Sequence, residues 1–525
     1  MIFVGSPPFT RRLSSLPQQP EREDAEGPLV AAGGCGHEML WAWGVGRSLV
    51  TWVVLLPLVL GGLALRVAVA VALRARARAK GRRMRMMPAH DVIYCTELNH
   101  HSEPVSLVMT LAGAVEAEGV KDRVVEALER GNPQVREKLG MFVDDFLGFK
   151  IWCEESDFSV DDHVLCLPPA RDEWELDAVV AALPSTTPEG RSPWCIYVVP
   201  LSSSAQTALV FRFHHCLGDA QGILRGLVRR LLDSDTSWTS KENKVTSELG
   251  LMRQLFALFL LPSLTADTVF LNPWRMAKKL TRRKLEPDHV QVLAHSEPIP
   301  LSTISAVKRA TGATVNDVFT AAVQHILDAD RRAFVVSLRR NTDETMSNVT
   351  TVKRSHAPSH PSPDSLRYLT DLKTTVDKEK SSVRINAMYM AETIYSTVTP
   401  IWLLKYLVHA IRSVDYTTSN VNATYLGGQA RLLDKEISAL YFIGPYNRFQ
   451  ENFVMLTTFG NSGRLSLRAR QEVVKDAREA KNILNNIVKW IEDLHSRVQG
   501  RPPFLIRGSD LSQLAVDQLP KIVVV

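Results

Sequence analysis

The sequence predicts strands and helices mixed in two domains behind a single membrane helix, and three observations carry that expectation. The chain has 525 residues, 45% of them hydrophobic, enough for two separate cores. Thr207 to Phe213 is a β-branched and aromatic run, and behind Gly222 the residues Ile223, Leu224, Leu227, Val228 and Leu231 recur at helical spacing. A strand therefore passes into a helix there. Ser48 to Leu65 runs for eighteen residues without a charge, about 27 Å as a helix at ~1.5 Å per residue.

Residues 1–47 read as a disordered tail, because the part before Met39 is rich in Pro, Gly and charge. Residues 48–87 read as a membrane anchor with a basic juxtamembrane segment. Val67 to Leu73 can extend the span past a snorkelling Arg66, and Trp41, Trp43 and Trp52 suit its upstream interface. Net charge is +6, but Arg74 to Arg85 alone carries seven basic residues and no acidic one, so the rest of the chain is close to neutral. That pattern excludes a nucleic-acid surface spread over the fold and points to membrane lipids with anionic headgroups. Positive residues stay cytoplasmic, which places the body of the protein in the cytosol, at the endoplasmic reticulum or on another organelle such as the plastid envelope. A cleaved or organelle-targeting leader is the alternative, although its positive residues would precede the apolar run.

The richest stretch is His214-His215-Cys216-Leu217-Gly218-Asp219, at the end of the expected strand. Neighbouring side chains on a strand point to opposite faces, so only one of the two histidines can reach a given cavity. An imidazole titrates near neutrality and can move a proton from a hydroxyl to a leaving group. The plainer reading is a polar pair with Asp219 as an ordinary helix N-cap. Cys216 reads as a small buried hydrophobe, with a thiol nucleophile the minor alternative. His100-His101, a second doublet, lacks a following Asp and reads as loop surface. No metal site is expected, because Cys and His show no metal-ligand spacing elsewhere.

The six cysteines, Cys35, Cys95, Cys153, Cys166, Cys195 and Cys216, are scattered without CxxC pairs and fit reduced thiols. The sequons at Asn348 and Asn422 are then accidental. Leu251 to Leu261 is apolar but too short to span, and reads as a buried crossover helix or an interfacial segment. Thr342 to Pro363 reads as a loop, and Glu472 to Val498 as a packing helix. Asn316 and Asp317 lie in a helical stretch that Thr314 or Asn316 can cap. No phosphate-binding glycine loop, GxGxxG or GxSxG elbow is present, which counts against nucleotide-dependent enzymes and common lipases.

His214, His215, Asp219 and Ala220 resemble the HHxxxDG signature of the CoA-dependent acyltransferases, and the flanking text resembles their wax ester synthase/diacylglycerol acyltransferase branch. Pro88 to Glu103 is similar to that family's opening segment, and Phe158, Asp162, His163 and Val164 to its next strand. Pro193-Trp194 resembles its PLW motif, Asn316-Asp317 its ND motif, and Ser419-Asn420-Val421 its [ST]NVPGP segment. The departures are Ala220 for the signature glycine, Asn422-Ala423 for Pro-Gly, and Ser347-Asn348 where the family tends to have Gly-Asn.

The resemblance implies an α/β fold of two chloramphenicol-acetyltransferase-like subdomains, residues 88–295 and 296–500, with a tunnel between them and a tail at 501–525. It implies an O-acyltransferase moving a fatty acyl group from acyl-CoA, a cosubstrate, to a long-chain alcohol or diacylglycerol, with no bound cofactor. His215 would be the general base without an acyl-enzyme, and His214 its motif neighbour. Asp219 would hold the loop through a buried ion pair with an arginine the sequence does not reveal. Gly218, Gly222, Trp194 and Asn316 are the expected substrate-binding residues. The competing expectation is a membrane-anchored lipid-binding or scaffold protein that kept the fold and lost turnover, with Ala220 as the cause.

Overall fold

The computed structural model describes residues 35–96, 104–184, 188–233, 291–327, 332–340, 343–355, 364–381, 384–412, 414–427, 429–445 and 450–499, with 255, 258, 259 and 261 between them. Residues 1–34 and 500–525, the His100-His101 doublet and most of Leu251 to Leu261 lie outside the described residues, whereas 35–47, expected as part of a disordered tail, are helical. In the first half follow α1 (Cys35–Lys80), β1 (Met84–Met86), α2 (Ala89–Val92), β2 (Pro104–Leu111), α3 (Ala117–Arg130), α4 (Pro133–Leu139), β3 (Met141–Phe146) and β4 (Phe149–Glu154). They are succeeded by β5 (Val164–Cys166), α5 (Glu173–Ala182), β6 (Trp194–Leu201), β7 (Gln206–His214), α6 (Ala220–Ile223) and α7 (Arg229–Leu231). The second half contains β8 (Gln291–His295), β9 (Ile299–Pro300), α8 (Leu301–Thr311), α9 (Val315–Leu327), β10 (Arg332–Ser337), β11 (Thr350–Ser355), α10 (Ser365–Ser381) and α11 (Arg384–Val398). Last come α12 (Ile401–Arg412), β12 (Val414–Asn422), β13 (Arg431–Leu432), β14 (Lys435–Ile443), β15 (Gln450–Phe459), β16 (Ser462–Arg470) and α13 (Ala477–Val498).

Two mixed sheets carry the architecture, as the expected α/β fold requires. The first runs β13-β14-β2-β7-β6-β5 and the second β11-β10-β12-β15-β16-β8, with β9 also on β16. Helices cover them because their central strands are apolar on both faces, and such strands must be buried on both sides. All eight residues of β2 are buried, for example. The halves expected on either side of 295/296 exchange strands. β8 pairs with β16 in the second sheet, while β14, from the second half, pairs with β2 in the first. A side chain links the sheets where they meet, since the Ser466 hydroxyl donates to Phe442 O at 2.6 Å. Thr350 to Ser355, expected as loop, is a strand antiparallel to β10, because its β-branched residues suit a ladder that the partner supplies.

Buried polar groups pin the same seam. His295 on β8 lies between Asp177 at 2.7 Å and Glu173 at 3.2 Å, both on α5, and Arg464 reaches Glu173 at 2.8 Å. Burial alone would lower the His295 pKa, but the hydrogen bonds to the two carboxylates outweigh it and raise the value to about 9. Glu173 is pulled down to about 2, first by His295 and then, against burial, by Arg464. A raised histidine contributes stability that is complete below its unfolded pKa near 6.5 and fades as pH climbs through the folded value. The gap in unfolding midpoint between wild type and His295→Gln in detergent is therefore expected to narrow from pH 6.5 to about pH 10. An unchanged gap over that window in thermal melts would refute the assignment.

The long apolar helix is packed against the body over part of its length. Arg66 does not snorkel: its guanidinium donates to Thr397 O at 3.1 Å and Met87 O at 2.9 Å. Gly62 permits the approach, since a β-carbon there would sit 2.6 Å from the Val398 side chain and carbonyl. Upstream, α1 leaves Leu49, Val53, Leu58 and Leu60 exposed, and its 18-residue apolar window is long enough to cross a membrane.

Candidate active site

β7 delivers the histidine pair to the junction of the two halves. His214 closes the strand opposite Pro104 of β2, and His215 begins a 3-10 turn, His215–Leu217, in place of a continued strand. The two rings diverge. The His214 Nδ1 accepts the Cys216 N–H at 3.1 Å, which fastens the turn. Its pKa is pushed down to about 3 by burial, with the neighbouring His215 second, so the ring is neutral at physiological pH.

Asp219 is the N-cap of α6 and far more. One carboxylate oxygen accepts the Gly222 N–H at 2.7 Å and the other the Val349 N–H at 2.9 Å. The arginine that the sequence left unnamed is Arg339, whose guanidinium donates to both oxygens at 3.2 Å. Arg339 is 1% exposed, and its two terminal nitrogens also meet Asp343, Thr345 O and Ser347 O. The segment after β10 is thereby tied beneath the histidine turn. Gly222 is forced by this contact, since a β-carbon would meet Arg339 at 2.9 Å and Thr345 O at 3.1 Å. Ala220 opens α6 with ordinary helical backbone, so its methyl introduces no strain.

His215 has the stronger chemical surroundings. Its ring stacks on Tyr94 at 3.8 Å, and its Nδ1 is 2.9 Å from Asn348 Oδ1. The amide nitrogen of Asn348 donates to Asp91 at 2.9 Å and to His215 O at 2.9 Å. Those two acceptors turn the amide oxygen toward the ring, so His215 Nδ1 carries the proton and Nε2 the basic lone pair. Asp91 is itself held by the Lys138 ammonium at 2.7 Å, and all three partners are buried. An oriented, half-buried imidazole of this kind is equipped for general-base chemistry on a hydroxyl.

The remaining expected residues sit as follows. Trp194, at the start of β6, is buried, donates its indole N–H to Leu139 O at 2.9 Å and stacks on His163. Gly218 lies against the backbone of Met346. Asn316 is half-buried on α9, whose N-terminus is closed reciprocally by Thr314 and Asp317. Thr314, not Asn316, is thus the cap. Sequence reasoning missed the roles of Asp91, Lys138, Tyr94 and Asn348; the traces were Asn348 in the Gly-Asn-like pair and Asp91 and Tyr94 inside the Pro88 to Glu103 segment. It also missed that Cys95, His214 and Cys216 bring donor atoms within 4.8 Å of one another, because Cys95 comes from a distant segment. Burial, with Cys95 adding to it, pushes the Cys216 thiol well above its usual range. A protonated thiol and an imidazole already accepting a backbone N–H make a packing group, not a poised ligand set or nucleophile.

Residues 61–255 match the family model of the wax ester synthase/diacylglycerol acyltransferase catalytic domain. Among solved structures, the chain is similar to a wax ester synthase/diacylglycerol acyltransferase from Marinobacter aquaeolei, at 13% identity and TM-score 0.51 over 79% of this chain and 99% of that one. It is similar to the trichothecene 15-O-acetyltransferase of Fusarium sporotrichioides, at 12% identity and TM-score 0.53 over 79% and 96%. The first condensation domain of the calcium-dependent antibiotic synthetase also matches, at 12% identity and TM-score 0.51 over 80% and 98%. No curated protein sequence matches the chain. The wax ester synthase/diacylglycerol acyltransferase catalytic-domain match over residues 61–255, on the chloramphenicol-acetyltransferase-like fold that the whole body shares with these structures, supports an acyltransferase.

Proposed function

We propose that the protein moves a fatty acyl group from acyl-CoA to the hydroxyl of a long-chain alcohol or a diacylglycerol, with His215 as general base. The observation that carries this reading is the Asn348 bond that fixes Nδ1–H on His215 and leaves Nε2 as the proton acceptor. Nε2 takes the hydroxyl proton as the oxygen attacks the thioester carbonyl. The tetrahedral intermediate then expels the CoA sulfur, which receives that proton from the imidazolium. One C–O bond forms, one C–S bond breaks, and no acyl-enzyme intervenes. His214 and Asp219 are positioning residues in this scheme, holding the turn from which His215 projects. The ordinary helical backbone at Ala220 speaks against a turn distorted by its methyl.

The test is purified protein with labelled acyl-CoA and either a long-chain alcohol or diacylglycerol as acceptor. Ester product from at least one acceptor is expected; none from either would favour the scaffold. Asn348→Ala is expected to lower kcat by up to about 10²-fold with little change in KM, because the ring loses its orientation. Steady-state kinetics across pH check this, and an unaltered profile would contradict the tautomer argument.

We place α1 in a membrane with the body on the cytosolic side, where acyl-CoA is available. Asn348 is buried and closed to glycosylation in the folded state, whereas Asn422 is exposed. A glycan on Asn422 in a eukaryotic host would put the body in the lumen and reverse this topology.

A further inference from the structure

The membrane reading of α1 leaves open how the body sits on the bilayer, and one exposed surface bears on it. The exposed apolar side of α1 runs from Leu49 to Val71, about 33 Å at ~1.5 Å per residue, close to the ~30 Å of a hydrocarbon core. Arg66 does not interrupt that surface, because its guanidinium is turned into the body against two carbonyls. The basic run begins at Arg74, just past the apolar side.

At this level stands the tip of the β3–β4 hairpin. Arg66 lies 5.9 Å from the ring of Phe149 and Arg76 lies 5.0 Å from that of Phe146, so the hairpin end is bracketed between the last apolar and first basic turns. The tip residue Leu147 is 65% exposed and adopts φ 48°, a left-handed conformation that disfavours leucine and suits asparagine. An exposed leucine kept in a strained turn serves something other than folding.

The start of α12 completes the surface. Ile401 N donates to Gly148 O at 2.7 Å, which joins the helix to the hairpin tip, and the next residues, Trp402 and Leu403, are 61% and 41% exposed. α11, which ends just before α12, meets α1 where Val398 lies against Gly62. Leu147, Trp402 and Leu403 thus form one apolar surface beside the helix, at the depth where an interfacial tryptophan is favoured.

We propose that Leu147, Trp402 and Leu403 form a second lipid-contact surface, which seats the catalytic body in the headgroup region next to α1. The body then meets the bilayer in one orientation, with α2 and Tyr94, reached from α1 through Met87, on the membrane side. A second copy of this chain is the competing occupant.

The test uses the full chain in phosphatidylcholine vesicles with an anionic lipid and brominated acyl chains, read by tryptophan emission. Trp402→Phe is expected to lower the bromolipid-quenched fraction by one tryptophan's share, and Trp52→Phe in α1 to do the same. Leu147→Asn is expected to cut the Trp402 share at least two-fold while raising or preserving the melting temperature in detergent, since asparagine relieves the turn. A change with Trp52→Phe but none with Trp402→Phe overturns the surface while the anchor stands. No change with either removes anchor and surface together, independently of any acyltransfer assay. Iodide quenching of Trp402 in vesicles, with a dimer in detergent that Trp402→Asp dissociates, would assign the surface to a second copy and overturn the proposal.

Discussion

Replacing His215 with alanine is expected to lower kcat for acyl transfer by ~10²–10⁴ while leaving the acceptor KM and the melting temperature nearly unchanged. The ring is only half-buried, stacked on Tyr94 and oriented by Asn348. Its removal therefore opens little cavity. The surrounding partners persist without it, because Asn348 keeps Asp91 and a backbone carbonyl as acceptors. His214→Ala should behave in the opposite way, losing stability first, because that ring is neutral, fastens the turn through Cys216 and lies beside the Cys95 and Cys216 thiols. Single-turnover assays with labelled acyl-CoA, alongside melting curves, separate the two. Undiminished turnover in His215→Ala would leave general-base catalysis by this residue untenable.

Arg339→Ala is expected to be the most destabilising substitution near the site, by about 3–5 kcal/mol. Arg339 and Asp219 are both buried, and truncating the arginine strands a carboxylate whose counter-charge has gone. Removing both charges should be gentler than removing one. Asp219→Asn combined with Arg339→Met is accordingly expected to recover part of the loss, measurable as a coupling in a double-mutant cycle of urea unfolding. If Arg339→Ala unfolded within about 0.5 kcal/mol of wild type, the pair would not be what holds the turn.

The local parts of this site were legible in the chain, and the long-range parts were not. The strand-turn-helix passage around His214 and His215 follows from apolar periodicity, and the capping role of Asp219 from its place before a helix. Both are read within a dozen residues. Arg339, Asn348, Asp91 and Lys138 carry no such mark, because each becomes meaningful only when folding brings separate segments together. The misreading of Thr350 to Ser355 has the same origin: a short polar strand gains its ladder from β10, and its own sequence reads as loop. Trp194 was legible as a motif, but its burial against His163 and Leu139 O was not.

The interchange of strands between the sheets has a consequence for biosynthesis. β2 is apolar on both faces, and one of its edges is completed only by β14, more than three hundred residues downstream. While the ribosome is still making that distance, the nascent amino-terminal half holds an open, sticky edge that can recruit other chains. Maturation of the histidine turn must therefore wait until almost the entire polypeptide has emerged. Chaperone supply, more than codon-by-codon speed near the amino terminus, should set the yield of active product in heterologous expression.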